Sequence, residues 1–161
     1  MIARAFIGLG GNLGDAQQTL EAAIARLANH PELALTGRSA FYRTAPWGVL
    51  DQPDFVNAVV SVDTALPPHA LLDVLLETER AFGRVRDGAR WGPRTLDLDL
   101  LLHGAAVVHD ERLDIPHPRM AQRAFVLLPL ADIDATLDIP GQGRVAELLE
   151  TLDTQGCERL S

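Results

Sequence analysis

The order of the apolar patterns constrains the fold more than any other feature of this sequence. Two segments with the apolar spacing of a helix each lie between segments that read as strands. The helices are predicted over Ala16–Ala28 and from Pro67 to Gly83. The strands are predicted over residues 2–9, 33–42 and 55–63, and from residue 95 onward. This β-α-β-β-α-β order predicts an α+β fold, a ferredoxin-like sandwich with an antiparallel sheet whose first and third strands are central.

The C-terminal part of the chain adds elements to this pattern. A short apolar helix is predicted over about 121–130 and a last helix over 145–152. The tail from about residue 153 is expected to be loosely held. A chain of 161 residues is typical of one domain. We therefore expect residues 1–161 to form a single domain with C-terminal additions.

Composition and charge exclude several classes of protein. The formal net charge of −8 argues against a general nucleic-acid binder, which normally presents a basic surface. No apolar run approaches the roughly 20 residues that a membrane-spanning helix needs, so no membrane partner is expected. Cys157 is the single cysteine, which excludes an intrachain disulfide and a cysteine-ligated zinc site. A cytoplasmic protein is the default expectation.

The strand that begins near residue 95 carries two carboxylates. Because side chains alternate along a strand, Leu96, Leu98, Leu100 and Leu102 are predicted on one face, and Asp97, Asp99, Leu101 and His103 on the other. Two neighbouring carboxylates repel each other, and a hard divalent cation such as Mg²⁺ removes that repulsion. The alternative is an ordinary solvated strand face, since so short a motif often arises by chance.

Arginine is the cation available for phosphate binding, because all 14 Lys or Arg residues are arginine. This composition excludes a Walker A lysine and a protein-kinase strand lysine. Five arginines lie close together before or at the start of the acidic strand: Arg80, Arg84, Arg86, Arg90 and Arg94. Guanidinium groups suit phosphate oxygens. In an acidic protein, the cluster indicates a small anionic ligand.

Two further features leave alternatives open. The glycines from Gly8 to Gly14 follow a strand and precede a helix, but their spacing does not fit a dinucleotide-binding motif. A tight turn that lets the backbone approach another segment is preferred. Phe55 and Asn57 lie on one strand face after a long loop, residues 43–54. A ring and a carboxamide can hold a flat heterocycle, but a strand-end aromatic beside a polar turn residue is the alternative.

Taken together, these motifs resemble the 6-hydroxymethyl-7,8-dihydropterin pyrophosphokinase family of folate biosynthesis. The resemblance extends from about Ala5 to Leu130, with all segments in order. The segments that carry it are FIGLGGNLGD, FYRTAPWG, DQPDFVNAVV, ETERAFGRVR, RWGPRTLDLDLLLHG and LDIPHPRMAQRAFVLLPL. It implies an enzyme that transfers the pyrophosphoryl unit of ATP to the hydroxymethyl group of a reduced pterin, giving AMP. Two Mg²⁺ ions would bridge the triphosphate.

The same resemblance implies roles for individual residues. Asp97 and Asp99 would hold both metal ions, and Asp97 would also lie near the pterin hydroxymethyl group. Together with Arg84 and Arg94 they form the expected catalytic set. The expected ATP-binding residues are Glu79, Arg86, Arg90, Trp91, Leu100, Arg112, His117 and Arg123. The expected pterin-binding residues are Gly8, Thr44, Ala45, Trp47, Phe55, Asn57 and Phe125.

Two other functions stay open at this stage. A ferredoxin-like palm domain with two aspartates and two metals could extend or cyclise nucleotides, although the acidic charge argues against a polymer substrate. A non-catalytic ligand-binding module on the same scaffold is the other alternative. In the preferred interpretation, the partners are ATP and a reduced pterin, both small molecules, and the chain is a monomer.

Overall fold

The computed structural model describes residues 2–45, 53–83 and 95–160. The strands are β1 (Ala3–Gly11), β2 (Leu33–Arg38), β3 (Tyr42–Thr44), β4 (Phe55–Thr64), β5 (Asp97–His103), β6 (Val108–His109), β7 (Asp114–Ile115), β8 (Asp138–Ile139), β9 (Gly143–Arg144) and β10 (Cys157–Arg159). The helices are α1 (Ala16–Ala28), α2 (Pro68–Ala81), α3 (Ala124–Asp134) and α4 (Val145–Glu150), and a 3₁₀ turn spans Met120–Gln122. No helix in these described ranges is long and apolar enough to cross a membrane.

Within the described residues, the main sheet has six strands, each antiparallel to its neighbours. β1 and β4 lie at the centre, and β5 pairs with the outer side of β1. β2 and β3 both pair with the outer side of β4, and β10 pairs with β3. The order β5-β1-β4-β2, connected through α1 and α2, confirms the predicted ferredoxin-like fold.

Helices α1 and α2 cover one face of this sheet. Asp15 begins α1, because its carboxylate accepts a hydrogen bond from the N–H of Gln18 at 3.1 Å. Gly83 follows the end of α2 with a φ of 82°, which a residue with a side chain rarely adopts. The buried apolar residues that the two helices contribute are Leu20, Ala23, Ile24, Leu27, Leu71 and Leu75. The apolar stripe predicted for α1 is confirmed.

Helices α3 and α4 cover only part of the opposite face. Their apolar side chains pack with Phe6 of β1 and Val59 of β4. α3 starts later than predicted, because the backbone of Arg123 is extended between the 3₁₀ turn and the helix. Further along β1, the residues on this face are Gly8 and Gly10, which have no side chain. The face therefore has a packed core at one end and open space at the other.

Strand β5 departs from simple alternation at Leu101. The pairing of β5 with β1 changes register between Phe6, which pairs with Leu102, and Ile7, which pairs with Leu100. Leu101 is thus an extra residue in β5, a β-bulge. Leu101 and Leu102 consequently both join the core beneath α3, whereas Leu100 faces α1 and α2.

The bulge overturns part of the predicted face assignment. Leu102 does not lie on the same face as the preceding leucines, and His103 does not lie with the aspartates. The Nε2 atom of His103 instead lies 2.8 Å from the carbonyl oxygen of Leu66, close to α2. Asp97 and Asp99 precede the bulge and remain on one face, as predicted. A one-residue insertion in a strand inverts the faces only beyond the insertion.

The segment predicted as one strand over residues 33–42 forms two strands. Ser39 separates them, because its side chain enters the ladder with β4. The N–H of Val59 donates to Oγ of Ser39 at 2.9 Å, and the N–H of Ser39 donates to the oxygen of Val59 at 2.9 Å. A side-chain oxygen therefore takes the place of a backbone acceptor, and regular pairing resumes at Tyr42.

The C-terminal tail, expected to be loosely held, instead contributes β10 to the main sheet. Beyond β10, the N–H of Leu160 donates to the oxygen of Phe41 at 2.8 Å, and the side chain of Leu160 packs against the core beneath α1 and α2. The sequence of this tail gives little indication of a strand. Its order comes from pairing with residues more than a hundred positions away.

Candidate active site

A cavity of about 450 Å³ opens on the sheet face that α3 leaves uncovered. β1, β4 and β5 form its floor, and α3 with the preceding turn forms a wall. The predicted site residues that line it are Gly8, Thr44, Phe55, Asn57, Asp97, Asp99, Arg123 and Phe125. The fold therefore brings together residues from distant segments. These are residues that the family resemblance assigned to metal, ATP and pterin.

The floor of the cavity is open because β1 contributes Gly8 and Gly10. Gly10 pairs with Asn57 on one side and with Asp97 on the other. A Cβ atom at Gly10 would lie 2.7 Å from Oδ1 of Asn57, closer than such atoms normally approach. A Cβ atom at Gly8 would meet Cδ1 of Leu101 at 3.5 Å, an ordinary contact. A close approach thus exists at Gly10, but Gly10 lies within strand β1 and not in the predicted tight turn.

Asp97 and Asp99 lie beside this floor on the cavity face of β5. Asp97 is half-buried and Asp99 is exposed. In residues 2–45, 53–83 and 95–160, no group of three or more His, Cys, Asp or Glu side chains could hold a metal ion. A hard cation bound by two carboxylates completes its coordination with phosphate oxygens and water. The donor set therefore fits Mg²⁺ bound together with a phosphate ligand.

Positive charge faces these carboxylates from the segment before α3. Arg119 and Arg123 line the cavity. Burial lowers the pKa of Arg123; the charge of Asp99 opposes this shift, and that of Arg119 adds to it. The guanidinium carbon of Arg123 lies 5.5 Å from the ring centre of Phe125. The two arginines and the acidic strand thus form opposite sides of an anion site that a metal could complete.

The ring of His117 lies next to Arg119 of this wall, although His117 is not among the residues that line the cavity. Its backbone N–H donates to the oxygen of Leu101 at 3.1 Å, and its Nδ1 accepts from the N–H of Arg119 at 3.3 Å. Burial lowers the pKa of the ring below 6.5; Asp99 opposes this shift, while Arg123 and Arg119 add to it. A neutral ring that accepts at Nδ1 carries its proton on Nε2. Nε2 can therefore donate to an oxygen of a bound anion.

The other end of the cavity is aromatic and amide-lined. Phe55 begins β4 and Phe125 lies in α3, so their rings line the cavity from the sheet and from the helix. Asn57 is buried, and its Nδ2 donates to Oγ1 of Thr44 at 3.1 Å. This hydrogen bond orients the carboxamide. A flat heterocycle fits such surroundings, with rings for stacking and an amide for one edge.

Some predicted site residues do not line the cavity. Ala45 is exposed beside the C-terminal residues 154–158. Leu100 is buried in the core beneath α1 and α2. Arg112 forms an exposed ion pair with Asp73 of α2. The structure thus does not bring these three residues together with the carboxylates, and their assigned roles stay predictions.

Glu79 also lies outside the cavity lining, but it contacts the acidic strand. Its side chain belongs to α2 and is 5% exposed. Its Oε2 accepts a hydrogen bond from the N–H of Leu98 at 2.7 Å. Leu98 lies between Asp97 and Asp99, so this contact holds the part of β5 that carries both carboxylates. The predicted position of Glu79 near the ribose or adenine of ATP stays a prediction.

Other predicted residues lie outside the described part of the chain. They are the catalytic candidates Arg84 and Arg94, the ATP-binding candidates Arg86, Arg90 and Trp91, and the pterin-binding candidate Trp47. Their assignments rest on the resemblance of the sequence alone and stay predictions.

The cavity also includes residues that the sequence analysis did not assign to the site. These are Leu9, Gly10, Ala58, Val59, Leu101, Arg119, Gln122 and Val126. Gly10 could have been found from its alternation with Gly8 along β1, and Arg119 from its place two residues after His117. Leu101 could have been found as well, because simple alternation already places it on the face of Asp97 and Asp99; the bulge changes the face only of the residues after it.

Comparisons with known proteins identify the family of this chain. A family model described as 7,8-dihydro-6-hydroxymethylpterin-pyrophosphokinase matches residues 6–135. The protein named 2-amino-4-hydroxy-6-hydroxymethyldihydropteridine pyrophosphokinase of Methylorubrum extorquens is 50% identical over 157 residues, which cover 98% of each chain. The protein of the same name from Pseudomonas aeruginosa is 46% identical over 160 residues, which cover 99% of this chain and 98% of the relative.

Solved structures agree with the fold. The crystal structure of wild-type Plasmodium falciparum HPPK-DHPS with pteroate aligns with a TM-score of 0.74 at 14% sequence identity. The alignment covers 93% of this chain and 42% of that one, so this chain spans less than half the length of the Plasmodium protein. At this identity, the likeness concerns the fold alone. Because the family model and the two bacterial relatives match most of its length, the chain belongs to the 7,8-dihydro-6-hydroxymethylpterin-pyrophosphokinase family.

Proposed function

We infer that this chain transfers pyrophosphate from ATP to the hydroxymethyl group of 6-hydroxymethyl-7,8-dihydropterin, giving AMP and the pterin diphosphate, in folate biosynthesis. The observation that carries this inference is that two kinds of subsite share one cavity. The carboxylates of Asp97 and Asp99 suit metal and phosphate. The rings of Phe55 and Phe125 and the amide of Asn57 suit a flat heterocycle and line the same space. Family membership supports the same reaction.

The residues present fit a magnesium site at Asp97 and Asp99. Their four carboxylate oxygens are hard ligands on one strand face. Bound Mg²⁺ supplies neutralisation of phosphate charge and a template for an in-line displacement. We assign two ions to the site on the resemblance to the family, and Asp97 and Asp99 are the residues that would hold them. The carboxylates alone would repel the triphosphate of ATP.

The basic wall binds and orients the triphosphate. Arg119 and Arg123 supply guanidinium groups from the cavity lining, and we assign the ring of His117, which lies beside Arg119, to donate to the phosphates from Nε2. Arg84 and Arg94 complete this clamp in our assignment. Phosphoryl transfer of this kind depends on positioning and charge neutralisation and needs no covalent nucleophile.

The pterin binds at the aromatic end, with Phe55 and Phe125 on its two ring faces. Asn57, Gly10 and Asp97 lie in one row across β4, β1 and β5. Neighbouring strands are about 4.8 Å apart, so the row spans about 10 Å. A pterin whose edge contacts Asn57 can cross the glycine and extend its hydroxymethyl group towards Asp97. We therefore assign Asp97 to accept the hydroxyl proton as the oxygen attacks phosphorus.

Product analysis with the full chain tests this function. We expect AMP when ATP, Mg²⁺ and the pterin are all present, and no AMP when the pterin is left out. Asp97→Asn or Asp99→Asn should lower kcat by at least about a hundredfold, since each removes a charged metal ligand. Asp138→Asn is a matched control, because Asp138 is exposed in β8 and outside the cavity lining. Circular dichroism would establish that each variant is folded.

Other outcomes would support the alternatives. ADP as the nucleotide product would contradict pyrophosphate transfer, and AMP formation without pterin would contradict the acceptor. Salt-sensitive binding of nucleic acid would favour a nucleotide-polymerising palm domain. Binding of both ligands without turnover would favour a non-catalytic module.

A further inference from the structure

We propose that the C-terminal strand β10 positions the pterin end of the active site through β3. This inference rests on the proposed function, because it concerns how the pterin is held. β3 is three residues long and carries Thr44, whose Oγ1 orients the carboxamide of Asn57. β4 pairs with one side of β3, and β10 pairs with the other. The end of the chain thus completes the support of a substrate-contacting strand.

The register places β10 directly beside Thr44. Thr44 pairs with Phe55 of β4 and with Cys157 of β10. The next residue back, Arg43, pairs with Glu158. Without β10, β3 would be a three-residue edge strand. The N–H and C=O groups on the side away from β4 would have no strand to pair with. Strands of that length have little stability of their own, so the second neighbour matters for the position of Thr44.

The backbone ladder identifies which amides hold β10 to β3. The N–H of Leu160 donates to the oxygen of Phe41 at 2.8 Å, which makes these two residues a hydrogen-bonded pair. Such pairs alternate along an antiparallel ladder, so Arg43 and Glu158 form the next one. The N–H of Glu158 therefore points towards β3. The N–H of Arg159, which lies between, points away from it, and in the described sheet β10 has no strand on that side.

Side chains support the same arrangement to different degrees. Arg43 and Glu158 form an ion pair at 2.8 Å, but both groups are exposed, so it contributes little. On the α3 side, the hydroxyl of Tyr42 donates to Asp132 at 2.9 Å. β3 is thus held by β4, β10 and α3. Arg159 of β10 also forms an ion pair with Asp132 at 3.7 Å, but its side chain is 65% exposed, so the contribution of β10 comes mainly from its backbone.

The expected effect of losing this ladder is selective. Thr44 would be less well fixed, and with it the 3.1 Å hydrogen bond that orients Asn57. The acidic strand β5 is separated from β10 by β3, β4 and β1. Pterin binding should therefore weaken, while binding of Mg²⁺ and ATP at the carboxylates should not.

Two proline substitutions and a charge control separate the ladder from other causes. Glu158→Pro removes an N–H that bonds to β3. Arg159→Pro introduces the same residue one position along, where the N–H points to the outer edge and proline is tolerated. Glu158→Gln keeps the backbone and removes the charge. For Glu158→Pro we expect KM for the pterin to rise by about tenfold or more, as for a lost backbone hydrogen bond in a short strand.

The control measurements decide the interpretation. In all three variants, the Kd of a non-hydrolysable ATP analogue with Mg²⁺ should stay within about twofold of the wild-type value. The KM for the pterin should also stay within about twofold of wild type in Glu158→Gln and Arg159→Pro. Equal changes for both substrates would overturn the proposal, and so would a control that reproduces the effect of Glu158→Pro. Wild-type chain that makes no AMP would contradict the proposed function. Active wild type with an unchanged KM in Glu158→Pro would contradict only the role of β10.

Hydrogen exchange of the wild-type chain tests the proposal without any substitution, so poor folding of a variant cannot obscure it. The amides of Glu158 and Leu160 should exchange at least about tenfold more slowly when the pterin joins the complex with Mg²⁺ and the ATP analogue. Amides of the β8–β9 hairpin serve as the internal reference. Unchanged exchange at Glu158 and Leu160 on addition of the pterin would overturn the positioning role.

Discussion

Gly10 illustrates how one residue decides the geometry of the site. It pairs with both Asn57 and Asp97, so it lies between the residue that we assign to the heterocycle and the residue that we assign to the hydroxyl group. Any side chain here would project into the space that Asn57 occupies. The glycine is therefore needed for a close approach of neighbouring groups, and its φ angle is not the reason.

Replacing Gly10 should disturb Asn57 directly. In Gly10→Ala, the new Cβ would start 2.7 Å from Oδ1 of Asn57, so the carboxamide must move. We expect pterin affinity to fall by about tenfold or more and the side-chain amide resonances of Asn57 to shift in the free protein. Gly8→Ala is the matched substitution, because its Cβ would make only an ordinary 3.5 Å contact with Leu101. Equal shifts of the Asn57 amide in both variants would contradict this explanation.

Tyr42 offers a test that depends on pH. Burial, followed by the hydrogen bond to Asp132, raises the pKa of Tyr42 to about 12. Because this exceeds the ordinary value of 10.0, the contribution of Tyr42 to the free energy of unfolding is fully present below pH 10. That contribution is lost as the pH rises towards 12. Tyr42 is the single tyrosine in the sequence, so absorbance of the phenolate reports it alone. Native titration near 10, or no decrease of the pKa in Asp132→Asn, would count against this assignment.

Among the elements, β5 combines two functions in seven residues. Its first half presents Asp97 and Asp99 to the cavity, and its second half contains the bulge at Leu101 that turns the chain into the core beneath α3. Glu79 links this strand to α2 through the N–H of Leu98. The two carboxylates that we assign to metal binding are therefore positioned by a helix on the far side of the sheet as well as by β1.

Removal of the Glu79 carboxylate should destabilise this element. Glu79→Ala leaves the N–H of Leu98 without this acceptor, so we expect the free energy of unfolding to fall by about 1–3 kcal/mol. Glu79→Gln keeps a carbonyl acceptor and should lose less. Urea unfolding measures both effects. Glu77→Ala, on the exposed side of the same helix, should change stability by less than about 0.5 kcal/mol. A loss at Glu77 equal to that at Glu79 would contradict the role of the contact with β5.

The elements that could be predicted are those whose own sequence contains the signal, such as a capping residue or an apolar stripe. The bounds of α1 agree with the sequence prediction because the Asp15 cap and the apolar stripe lie within the helix itself. The division of β2 and β3 at Ser39 and the bulge at Leu101 could not be predicted, because each depends on a partner strand. The same holds for β10, which forms only where β3 is available to pair.

At the scale of the whole molecule, the cavity joins segments from most of the chain into one site. β1, β4 and β5 supply the floor, and α3 supplies the wall. The site thus exists only when the sheet has formed and α3 has packed against it. Ligand binding should in turn stabilise the whole fold, because only the folded chain has the cavity.

Thermal unfolding tests this coupling and its dependence on metal. A non-hydrolysable ATP analogue at about a hundred times its Kd should stabilise the chain by about 2.7 kcal/mol in the presence of Mg²⁺. Addition of a chelator should remove most of this effect, because the two carboxylates would then repel the triphosphate. Asp99→Asn should reduce it as well. Equal stabilisation with and without Mg²⁺ would contradict the metal assignment.

The order of the main helices and strands, the face that carries Asp97 and Asp99, and the family to which these motifs belong can all be predicted from the sequence. Those features depend on residue periodicity and on neighbours a few positions apart. The hydrogen bond from β5 to Glu79, the positions of Leu100 and Arg112 outside the cavity lining, and the pairing of β10 with β3 are visible only in the folded chain. These depend on strand register and packing between distant segments, which no local pattern encodes.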